Sequence, residues 1–217
     1  MKHFRNHLLS VTGVIGFLFL AFATMPDKGD DNSNGNAGPS SNTTRYTNSR
    51  SAFTGDLADN YVDFSFDYPK SWTRDPEAGK GDSPNFVKVS NDTADKFTIE
   101  NFAVGYITGN LALLPELGAQ LSDQLSRGFP NYEKVSEGKT RIGANDGYEF
   151  RFKSYVEKTP KGPVSLWGRV VLLPASGSRG VAMVMLASSI GTEVRGLEDV
   201  GVKGELPIIL NSFRFSD

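Results

Sequence analysis

Cysteine is absent from the 217-residue chain, and histidine occurs twice, at His3 and His7, both ahead of a long apolar run. Whatever folds beyond that run has neither residue. No disulfide framework, cysteine nucleophile, CxxC redox pair or iron–sulfur cluster is available to it. Zinc held by thiolate or imidazole is excluded, as is any relay in which His activates Ser or Cys. An excess of one charge is also lacking, since 23 Lys and Arg stand against 25 Asp and Glu. Residues 53–217 alone carry 18 basic and 22 acidic side chains. Nothing electrostatic therefore favours nucleic acid as a partner. Phosphate-binding glycine loops are missing too: neither G-x-G-x-x-G after a strand nor G-x-x-x-x-G-K-[ST] occurs.

What is present divides into three parts. Lys2 and Arg5 precede Leu8–Met25, 18 uncharged residues at the short limit of a membrane-spanning helix. The same plan fits a secretory signal, with Ala21-Phe22-Ala23 as the cleavage site. Residues 1–25 are thus expected to be a signal peptide or a retained single-pass anchor. Either places the rest outside the cytoplasm, because the basic residues stay inside. Residues 26–52 are rich in Asp, Asn, Gly and Ser with little to bury, and are expected to form a disordered linker. Within them Asp30-x-Asn32-x-Asn34-Gly35 opens like a calcium loop, but the twelfth position is Ser41 where a bidentate Glu is needed.

Residues 53–217 read as one α/β domain. Tyr61–Tyr68 alternates polar residues with Val62, Phe64, Phe66 and Tyr68, which predicts a half-buried strand stopped by Pro69. Further strands are expected at Phe86–Ser90, Phe97–Ile107, Val164–Leu173 and Val181–Ser188. Arg141–Val156 reads as a hairpin turning at Asn145-Asp146-Gly147. Val181–Ala187 is apolar on both faces, so it belongs at the centre of a sheet covered on each side. Leu114, Leu117, Leu121 and Leu125 form one helical stripe, started at Pro115 and closed at Gly128. A second helix is expected near Glu205–Asn211, followed by a short strand Phe213-Arg214-Phe215. Strands joined mainly by hairpins, with helices on both faces, make an antiparallel α/β/α sandwich.

Chemistry-bearing patterns are few. Gly177-Ser178-Arg179-Gly180 joins two strands and lacks the strand–helix setting of a nucleophile elbow. Asn42-Thr43-Thr44 and Asn91-Asp92-Thr93 fit the glycosylation pattern, which matters only in a secreting eukaryote. Glu193, Glu198, Asp199 and Glu205 crowd one late segment, and Asp63 and Asp67 share a strand face. Such carboxylates are the remaining route to acid–base chemistry or to a hard cation such as Ca²⁺; no spacing among them matches a known loop, and no cofactor is expected. Trp72 and Trp167, the latter on one strand face with Arg169, are the candidate contacts for a partner or ligand.

Phe64-Ser-Phe-Asp-Tyr-Pro-Lys-Ser-Trp72 resembles the opening of PsbP-like domains, where an aromatic strand runs into a Y-P-x-x-W turn. Gly147-Tyr148-Glu149-Phe150-Arg151-Phe152 is similar to their second hairpin, and Val181–Ser188 to the strand before their last helix. Asn211-Ser212-Phe213-Arg214-Phe215 resembles their terminal N-S-F strand. The resemblance spans about Tyr61–Phe215. It implies the sandwich shared by PsbP subunits of the oxygen-evolving side of photosystem II and by a Ran-GTPase-binding relative. It also implies a non-catalytic accessory domain that binds a membrane complex, and the export signal agrees with a member in a thylakoid lumen or periplasm; the domain itself is expected to be monomeric. The family's metal sites involve His, which this domain lacks, so the resemblance brings no metal site with it. The alternatives from other classes are a secreted hydrolase using carboxylates or a Ser–Lys pair, and a carrier of a small apolar ligand.

Overall fold

Seven residues in a row, Val181–Ala187, have no polar side to turn towards water. In the computed structural model, which describes residues 42–216, they are buried on both faces. Val181, Met183, Met185 and Ala187 enter one core, and Ala182, Val184 and Leu186 enter another. The alternation follows from the two-residue period of a strand. Two cores, one on each side of a sheet, organise everything else.

In chain order the elements are β1 (Thr43–Thr47), α1 (Gly55–Asp59), β2 (Phe64–Pro69), β3 (Thr73–Arg74), β4 (Asn85–Asp92) and β5 (Thr98–Thr108). There follow α2 (Leu114–Gly128), β6 (Glu133–Ile142), β7 (Asn145–Val156), β8 (Val164–Ser176), β9 (Arg179–Ser188), α3 (Leu206–Ser212) and β10 (Arg214–Phe215). Single 3-10 turns lie at Arg50–Ala52, Leu111–Leu113 and Leu197–Asp199. The main sheet has seven strands in the order β3-β4-β5-β9-β8-β7-β6, all antiparallel. β9 is therefore central, as its composition requires.

One face is covered by α2. Pro115 lies in its first turn with Glu116, and Arg127 in its last, the polarity that complements the helix dipole. Leu117, Leu121 and Leu125 are buried against Phe150, Phe152, Val170 and Leu172. The opposite face carries α1, α3 and a three-stranded sheet ordered β1-β2-β10. Its core is aromatic. Phe64 and Phe66 of β2 are fully buried, with ring centroids 5.5 Å from Phe213 and 5.1 Å from Phe102 respectively. Leu206, Ile209 and Leu210 of α3 complete it. The antiparallel α/β/α arrangement expected from the sequence holds, with a small sheet added to one outer layer.

Three expectations need correction. The linker does not run to residue 52, because Thr43–Thr47 pairs with β2. Arg45 makes a bidentate ion pair with Asp67 at 2.7 and 3.0 Å, and Tyr46 packs 5.3 Å from the Phe66 ring. Asn48, 2% exposed, donates to the Val62 carbonyl and accepts from the Tyr46 hydroxyl. Next, the hairpin turn lies at Gly143-Ala144, since Ile142 pairs with Asn145. Gly143 has a φ of 58° there, the left-handed conformation that a two-residue hairpin places on glycine. Asp146 and Gly147 belong to β7 instead. Finally, the first arm of that hairpin starts at Glu133, well before Arg141. β6 is a sheet edge, mostly exposed, and its charged residues give no apolar alternation.

The expected apolar segment Leu8–Met25 and the partial calcium loop at Asp30–Ser41 lie outside the described residues. Among the described residues, no helix is long and apolar enough to cross a membrane.

Candidate functional site

The candidate partner contacts from the sequence are largely taken up inside the domain. Trp72 is 4% exposed, and its indole N–H donates to Glu205 Oε2 at 2.7 Å. The turn that places it is the Tyr68–Trp72 segment, closed by the Trp72 N–H on the Pro69 carbonyl at 3.0 Å. Arg169 is 8% exposed and donates through Nε and Nη2 to Glu149 Oε2 at 3.0 and 2.6 Å. Arg151 Nε approaches the other Glu149 oxygen at 3.0 Å. Burial alone pushes the Glu149 carboxyl up. The Thr140 hydroxyl and the two guanidinium groups outweigh that and hold it below the usual carboxylate range. This is an internal brace, not a docking face. Trp167 is half-buried against the aromatic core.

The late acidic segment divides. Glu198 pairs with Arg151 and Asp199 with Lys203. Asp67 is held by Arg45, so it does not act together with Asp63. The loop Gly177-Ser178 is a two-residue hairpin connection between Ser176 and Arg179. Glu193 and Glu205, by contrast, meet at a pocket of about 330 Å³.

That pocket sits at one end of the main sheet. β5 supplies Ile99 and Glu100, and β4 supplies Asn91, which lies directly opposite Glu100 in the register. The end of β9 and the segment after it supply Ser188, Ile190, Thr192, Glu193 and Val194; Glu205 closes the ring just before α3. Glu100 is the residue the sequence reading missed. It is 3% exposed in a strand otherwise made for a core. Its Oε2 accepts the Glu205 backbone N–H at 3.2 Å, while its Oε1 is buried with no hydrogen-bond partner. Gly204, with a φ of 71°, lets the chain pass over this carboxyl; a Cβ there would lie 2.5 Å from Oε1.

Burial pushes the Glu100 carboxyl up to about 7, with the Glu205 and Glu193 charges adding to it. The backbone N–H groups of Glu205 and Leu206 work in the other direction. Glu205 accepts from both Trp72 and Asn91, the latter at 3.2 Å. The Asn91 amide is thus committed inside the pocket. The lining holds three carboxylates and no Lys or Arg. Its chemistry is that of an acceptor for positive charge. Among the described residues, no group of three Asp, Glu, His or Cys is arranged to hold a metal ion. Neither cysteine nor histidine contributes anywhere in the described domain.

No family model matches the chain, and no curated protein matches it in sequence. Solved structures do match. The solution structure of cyanobacterial PsbP (CyanoP) from Synechocystis sp. PCC 6803 aligns with a TM-score of 0.52 at 16% identity. The alignment covers 85% of this chain and 98% of that one. The domain has the PsbP-like fold. The crystal structure of LpqN, involved in cell envelope biogenesis of Mycobacterium tuberculosis, aligns with a TM-score of 0.49 at 10% identity, covering 81% of this chain and 92% of LpqN. Within the PsbP-like fold the Tyr68–Trp72 turn has a concrete task here: it delivers the indole that holds Glu205 at the pocket.

Proposed function

We propose that this protein is a non-catalytic, extracytoplasmic accessory protein whose folded domain docks to a membrane complex. The observation that carries the reading is the PsbP-like fold, aligned over 98% of the length of cyanobacterial PsbP. Two features of the chain support it. The basic residues Lys2 and Arg5 followed by Leu8–Met25 suit export or anchoring, and the segment from there to the first strand can serve as a tether. The domain also lacks His and Cys, the side chains on which most nucleophilic and acid–base catalysis depends. The water-oxidising side of photosystem II is the finer assignment that the resemblance suggests.

Affinity capture tests this directly. The full chain, tagged at its C-terminus and expressed in its own host, should retrieve a defined set of membrane proteins after mild detergent extraction. Recovery of the tagged chain alone from both membrane and soluble fractions overturns the docking reading.

A further inference from the structure

The pocket at the end of the main sheet holds Glu100, Glu193 and Glu205 with no cation in its lining. Acidic clusters on surfaces are common and are normally solvated. This one differs in its floor. Glu100 is 97% removed from solvent, yet Oε1 has no donor opposite it. Buried carboxylate oxygens are ordinarily satisfied, because leaving one unpaired is costly. None of the three carboxylates forms an ion pair among the described residues. Arg195, two residues from Glu193, donates its Nε to the Thr192 carbonyl at 3.2 Å instead.

The walls select the kind of cation. Ile99, Ile190 and Val194 line the pocket beside the carboxylates. A bare hard ion would prefer an all-oxygen shell, and no three acidic groups among the described residues are arranged for one. A charged head on an apolar stem matches both parts of the lining, the head at the carboxylates and the stem along the aliphatic side chains. Lys and Arg side chains have that form. We propose that this pocket receives a Lys or Arg side chain presented by the docking partner. The identity of the occupant rests on the accessory reading above; the affinity for an alkylammonium or guanidinium group does not.

The test separates the two. Backbone amide shifts of the isotope-labelled full chain are followed during titration with cadaverine or N-acetyl-lysine, with pentanol as an uncharged control on a five-carbon stem and calcium chloride as the metal arm. Saturable shifts confined to residues around Glu100, Ile190–Val194 and Glu205 are expected with the amines and not with pentanol. Glu205→Gln should weaken amine binding about tenfold. Glu193→Gln, at an exposed position that leaves the fold alone, should weaken it about threefold. No saturable shift with amine, equal shifts with pentanol, or a response to calcium alone overturns the cation assignment. The affinity capture is then repeated with excess cadaverine. Displacement of the captured complex supports the partner's side chain as occupant, and capture unaffected by saturating cadaverine overturns it. Amine binding with no complex captured refutes the accessory reading while leaving the cation site standing.

Discussion

Glu100 is a carboxylate in a strand whose neighbours Phe102 and Val104 are fully buried, and its consequences for stability have a definite sign. The folded domain holds the proton up to about pH 7, whereas an unfolded chain releases it near 4.5. Between those limits the folded state binds more protons, so stability falls as pH rises. The contribution is fully present below about pH 4.5 and gone above about pH 7. Replacing Glu100 by Gln removes this dependence. Relative to that variant, the wild type should lose about 3 kcal/mol on going from pH 4 to pH 8. Urea unfolding of both proteins at the two pH values measures it; a difference that does not change with pH contradicts the assignment. The residue was hard to find from the chain alone. Its sequence neighbours are Ile99 and Asn101, and nothing local marks that Glu193 and Glu205, roughly a hundred residues on, come to the same place. Glu193 and Glu205 themselves were visible as part of an acidic crowd. What separated them from Glu198 and Asp199 was the availability of Arg151 and Lys203 as partners, which only the fold decides.

Elements with one apolar face were legible, and those without one were not. The α2 stripe and the alternating β2 each declare which side is buried, because burial imposes the period, and the uninterrupted apolar run of β9 declares that both of its sides are. β6 faces water for most of its length, so its residues carry no such imprint. β1 is a different case. It sits in polar, low-complexity surroundings, and its place is fixed by Arg45 on Asp67, Tyr46 on Phe66 and Asn48 on Val62. Those are long-range contacts that composition cannot foretell. They make the segment an integral part of the domain. A chain beginning at Phe53 should be less stable by at least about 3 kcal/mol than one beginning at Asn42, through lost burial of Tyr46 and the lost hydrogen bonds of Asn48. Denaturant unfolding of the two truncations checks this, and equal midpoints and slopes would show that residues 43–52 are a tether after all.

At the scale of the whole molecule, a seven-stranded sheet is sealed by α2 on one face and by α1, α3 and a small sheet on the other. Both cores are filled by side chains, many of them with no exposure at all. The pocket at the sheet end is lined by Glu100, Glu193 and Glu205 with no Lys or Arg, which suits a charged group on a partner better than an apolar cargo. The class of fold followed from hairpin order and the central β9; the small sheet did not, because β1 lies in a segment read as linker and nothing local to the terminal strand at Phe213-Arg214-Phe215 marks β2 as its partner. The claim that joins these levels is that the molecule works by holding on to a membrane complex. Native electrophoresis of gently solubilised membranes from the host, probed for the untagged protein, tests it most directly. The protein should migrate with a species many times larger than its monomer and return to the monomer position after a high-salt wash. Migration as the free monomer under every extraction condition would contradict it.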